Sequence, residues 1–134
     1  MSMFYRSTRD DNVKVTASQA ILKGLAADGG LFVPESIPSL DKSLEELSKM
    51  NYKEVAYEVM KLMLDDFTEE ELKSCIDRAY DSKFDTEEMT PLVKVEDEYF
   101  LELFHGATIA FKDMALSILP PVSYTHLRAH ETGA

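Results

Sequence analysis

Glu102-Leu103-Phe104-His105-Gly106-Ala107-Thr108-Ile109-Ala110-Phe111-Lys112-Asp113 is where the chain turns from architecture to chemistry. The segment leaves a strand-like apolar run, turns at Gly106 and enters a stretch with helical spacing of Phe111, Met114, Ala115 and Ile118. Thr108 reads as a helix cap, which predicts Lys112 in the first turn. A helix dipole favours anions at that end, so a cation there loses a few tenths to about 1 kcal/mol. Ala110 and Phe111 on its flank add desolvation. Both effects favour a neutral amine, the form that attacks an aldehyde in Schiff-base chemistry. Asp113 opposes them if its carboxylate is close. A second reading stays open: a surface lysine carried on a long, flexible stem. His105, at the strand end, reads as structural rather than as an acid or base.

Upstream of this segment the signals are architectural. Leu92-Val93-Lys94-Val95, an acidic turn at Glu96-Asp97-Glu98, and Tyr99 to Leu103 predict a β-hairpin over 92–103. Four capping-box patterns, Thr16 with Gln19, Ser43 with Glu46, Asn51 with Glu54 and Thr68 with Glu71, mark helix starts. The last two predict helices over most of 51–64 and 68–80. One presents Tyr52, Val55, Ala56, Val59, Leu62 and Met63 on a face, the other Leu72, Cys75, Ile76 and Ala79. Phe4 to Thr8 and Leu31-Phe32-Val33 read as short strands. Asp28-Gly29-Gly30 is a turn.

The composition belongs to a globular chain: 134 residues, 45% hydrophobic, 29% charged. A net charge of −11 argues against nucleic acid and against anionic membrane as partners. Thirteen acidic residues against four basic ones lie between Asp65 and Glu98. They read as a solvated face; they have no loop spacing around a central glycine that would hold calcium, and no metal site is expected. One cysteine, no signal-peptide pattern and no bilayer-length apolar run point to the cytoplasm.

The segment from Glu102 to Asp113 resembles the signature in which threonine synthases carry their pyridoxal phosphate lysine. Two further stretches agree with it. Tyr5-Arg6-Ser7-Thr8-Arg9 is similar to that family's opening strand, and Ala20 through Pro34 to its first helix and turn. Ala107 and Ala27 depart from the pattern, which favours proline at both places; alanine leaves φ free and the turns less rigid.

The resemblance covers residues 1 to about 119 and implies an α+β fold. Residues 1–90 would be a mostly helical N-terminal domain with short strands. Residues 91–119 would be the opening hairpin and helix of an incomplete α/β pyridoxal phosphate domain. It further implies Lys112 as both the catalytic and the cofactor-binding residue, pyridoxal 5′-phosphate as cofactor, and O-phosphohomoserine as the small-molecule substrate. The family reaction gives threonine and phosphate. The family's cofactor-phosphate cradle lies downstream of these motifs. The alternative is a non-catalytic helical interaction module of the same family, with Lys112 idle.

From Pro120 or Pro121 the text changes. Pro121 to Ala134 resembles translated adapter sequence, so residues 120–134 are expected to be foreign, to break the helix and to bury little apolar surface. His126 and His130 at helical spacing are two metal-ligand types without a third, and carry no site.

Overall fold

The computed structural model describes the backbone of residues 2–132 and the side chains of residues 2–128. Two short strands open the fold. β1 (Tyr5–Ser7) pairs antiparallel with β2 (Phe32–Pro34), Tyr5 opposite Pro34 and Ser7 opposite Phe32. The second strand therefore runs one residue later than the sequence suggests. Proline is tolerated in this two-stranded sheet because an edge strand needs no further donor there. The turn before β2 is held by Asp28, whose carboxylate accepts from the Ser7 hydroxyl at 2.7 Å and the Gly30 amide at 2.8 Å. A side chain at Gly30 would run into Ser7 Oγ and lie 2.9 Å from Asp28 Oδ1.

Between and after these strands come α1 (Ala17–Lys23), α2 (Leu44–Ser48), α3 (Tyr52–Met63) and α4 (Glu69–Ala79). All four start at the predicted capping boxes, with both reciprocal hydrogen bonds formed. Each cap is worth about 1 kcal/mol, and each fixes where its helix begins.

The core gathers around α4. Leu72, Cys75, Ile76 and Ala79 are buried at spacings of three and four, as the periodicity requires. Phe67, Tyr80, Phe84 and Met89 complete the cluster, and Tyr52, Ala56 and Met60 of α3 pack against it. Tyr52 meets Tyr80 edge to face at 4.9 Å. Val59, expected on that face, is exposed instead, and Glu58 is buried beside it with Lys61 at 2.6 Å. Tyr5 donates to the Met63 carbonyl at 2.7 Å, and Ser18 bonds to Asp66, tying the opening strand and α1 to the end of α3.

The hairpin is β3 (Leu92–Val95) with β4 (Glu98–Leu101), in register from Leu92 opposite Leu101 to Val95 opposite Glu98. Its turn is the two residues Glu96 and Asp97, with Glu96 at φ 55°. Then follow α5 (Asp113–Leu116) and α6 (Leu119–Thr132). Pro120 and Pro121 do not break a helix here. They stand in the first turn of α6, where a missing amide proton leaves no bond unmade. Val122 of this segment is buried in the core and His126 stands on Phe67 at 4.1 Å, whereas Tyr124 and Leu127 are exposed. The tail thus buries one core side chain more than the sequence suggests. The His130 side chain and residues 133 and 134 lie outside the described residues. Among the described residues no helix is long and apolar enough to cross a membrane, and none groups as metal ligands.

Candidate active-site lysine

Between β4 and α5 the backbone makes a compact loop, and one carboxylate holds it. Asp113 is buried at the head of α5. Its oxygens accept from the Thr108 amide at 2.8 Å and the Thr108 hydroxyl at 2.6 Å. These bonds, the hydroxyl's first, hold the Asp113 carboxyl below the usual carboxylate range. A side chain at Gly106 would fall on Asp113 Cβ and lie 2.6 Å from its Oδ2, so glycine is what lets the carboxylate in. Ile109 sits inside the loop at φ 66°, a strained conformation for a β-branched residue, with its amide donating to the Gly106 carbonyl at 3.1 Å.

This arrangement corrects the expected cap. Thr108 does not start the helix; it donates to an acid five residues on. Lys112 is itself the residue before α5, and its carbonyl accepts the Ala115 and Leu116 amides at 3.0 and 2.8 Å. With only four helical residues, α5 supplies little dipole. Desolvation by the flanks is missing too: Phe111 is 65% exposed and Lys112 is exposed. What the loop does give Lys112 is freedom. Among the described residues no hydrogen bond or ion pair engages its ammonium, and the adjacent carboxylate is turned to Thr108.

Two anchors tie this loop to the helical core. The Tyr80 hydroxyl donates to the Met114 carbonyl at 2.7 Å, and burial pushes that phenol's pKa upward. His105 bridges Glu102, at 2.9 Å from Nε2, and Asp85, through Nδ1. Both carboxylates, Glu102 first, raise the imidazole above its ordinary value. The structural reading of His105 fits this clamp, which joins the hairpin to the segment after α4. Asp113, Tyr80 and Asp85 were not singled out in the sequence; aspartate directly after a lysine registers there only as a neighbour.

The sequence profile for the N terminus of threonine synthase matches residues 4–80. The chain belongs to the threonine synthase family. It is 41% identical over 128 residues to the threonine synthase of Saccharomyces cerevisiae, covering 88% of this chain and 25% of that one. The crystal structure of threonine synthase from yeast superposes with a TM-score of 0.87 at 37% identity, covering 96% of this chain and 27% of that one. A pyridoxal phosphate-bound threonine synthase from Brucella melitensis gives 0.86 at 33% identity, covering 97% and 28%. The chain thus spans about a quarter of the length of the threonine synthases it matches, and it corresponds to their N-terminal part.

A lysine-held aldehyde cofactor needs a free amine and a place for its phosphate. The amine is present in Lys112. Among the described residues no glycine follows Lys112, so none of them forms a glycine-rich phosphate cradle there.

Proposed function

We propose that this chain is the front portion of a pyridoxal phosphate-dependent threonine synthase, a lyase of threonine biosynthesis, in which Lys112 holds the cofactor. The observation that supports this reading is the match to the threonine synthase N terminus over residues 4–80, with Lys112 exposed at the head of α5 and without a partner among the described residues. Residues 1–90 would form the N-terminal domain, 91–119 the start of the cofactor domain, and 120–134 a foreign tail. The cytoplasm is the compartment such an enzyme would occupy.

Pyridoxal 5′-phosphate, when bound, supplies an electron sink for charge that develops on the substrate's α carbon. Lys112 Nζ would hold the cofactor through its aldehyde carbon. The Lys112 amine would take protons from the α and β carbons of O-phosphohomoserine and return them to the γ carbon, which phosphate leaves, and to the α carbon, with water supplying the hydroxyl at the β carbon. Gly106, Thr108 and Asp113 set where that amine stands.

Among its described residues the chain offers no glycine-rich phosphate cradle after Lys112, and it is strongly acidic, so by itself it is expected to release no phosphate from O-phosphohomoserine. Joining residues 1–119 to the remaining part of the yeast enzyme supplies what is missing. That fused protein is expected to be active, and Lys112→Ala to abolish activity. Activity that survives Lys112→Ala would remove the case for the lysine.

A further inference from the structure

We propose that Asp113 is a positioning residue that keeps Lys112 reactive: by giving both carboxylate oxygens to Thr108, it withholds from the lysine the ion partner that sequence adjacency would otherwise supply. This rests on the reading of Lys112 as the reacting amine. A free aspartate next to a lysine can pair with its ammonium, and pairing favours the charged, unreactive form. Here that pairing is prevented by three features. Thr108 offers two donors, an amide at 2.8 Å and a hydroxyl at 2.6 Å, one to each oxygen. Gly106 leaves room for the carboxylate that any Cβ would fill. Asp113 is buried at 6% exposure while Lys112 is exposed, so the two side chains lie in different surroundings although their backbones are adjacent. A carboxylate that served only to cap α5 would need neither the Thr108 hydroxyl nor a glycine seven residues back; a four-residue helix gives little to cap.

The test measures amine freedom directly, with no cofactor site involved. The whole 134-residue chain is treated with formaldehyde and cyanoborohydride, and methylation of Lys112 is followed by peptide mass spectrometry against exposed Lys23 on α1. Gly106→Ala expels the carboxylate by bulk, and Thr108→Val removes a donor without adding any. Both are expected to slow Lys112 relative to Lys23 by about two- to fivefold, the range an exposed ion pair supports. Adding Asp113→Asn to either variant removes the competing charge and is expected to restore the wild-type rate. A purely structural role predicts no such rescue. Wild-type rates in both single variants, or double variants as slow as the singles, would overturn the proposal. Failure of Lys112 as the cofactor lysine would appear separately, as activity of the fused protein that survives Lys112→Ala.

Discussion

The helical part of the molecule and the hairpin segment after it are stabilised differently. In α3 and α4 the apolar stripes close on each other, and Leu72, Cys75, Ile76 and Ala79 are all but inaccessible. In β3 and β4 the pairing is complete, yet Leu92, Tyr99 and Leu101 stay exposed at 61%, 63% and 57%. An isolated two-stranded hairpin is marginal in water. The hairpin and the Lys112 loop are therefore held largely through two polar anchors, Tyr80 and His105, with Met114 of α5 packing against the core. The helical part brings its stability with it; the Lys112 segment borrows its own.

That contrast can be broken most easily in the core. Leu72→Ala should destabilise the chain by about 2–5 kcal/mol in urea unfolding, whereas Leu101→Ala on the hairpin should stay within about 0.5 kcal/mol. Equal losses at the two sites would show that the hairpin is packed after all. Next in size is Gly106→Ala, expected to cost about 1–3 kcal/mol because Asp113 fills the space that the new methyl group needs. No loss there would mean that the loop yields freely. Tyr80→Phe removes the bond to Met114 and leaves that carbonyl unpaired, for about 1 kcal/mol. Its sharper readout is hydrogen exchange: amides of α5 should open more than those of α4.

The clamp at His105 gives a pH test of the same contrast. Its carboxylate partners raise the folded imidazole above the unfolded value of about 6.5. The stabilisation is then fully present below that unfolded value and is lost as pH rises through the folded one. Thermal midpoints should fall across this window in the wild type, and His105→Gln should flatten the slope. An unchanged slope in the variant would remove His105 as an anchor. The smallest effect is expected at Ile109, which is exposed and strained at φ 66°. Ile109→Asn relieves a conformation that asparagine tolerates and should raise stability by up to about 1 kcal/mol.

The helical part was legible because its signals are local. A capping box and a stripe at spacings of three and four each fix an element within a dozen residues, and all four boxes are formed where Thr16, Ser43, Asn51 and Thr68 stand. The errors there are small and tertiary: Val59 fits the stripe of α3 but misses the core, and Val122 is recruited from a stretch that reads as a break. The Lys112 loop was less legible. Thr108 has the chemistry of a cap and sits at the right distance from an apolar stretch. Its partner, however, is a carboxylate five residues on, admitted only because Gly106 has no side chain. Which acceptor a threonine finds depends on that fold of the backbone, and no periodicity encodes it.

Lys112 as the lysine that holds pyridoxal phosphate is the central claim, and covalent trapping tests it most directly. The protein that joins residues 1–119 to the remainder of the yeast threonine synthase is loaded with pyridoxal 5′-phosphate, reduced with borohydride, digested and mapped. The modified group is expected on Lys112 and on no other lysine of this chain, and to vanish with Lys112→Ala. A stoichiometric label on a different lysine, with Lys112 unmodified, would contradict the claim.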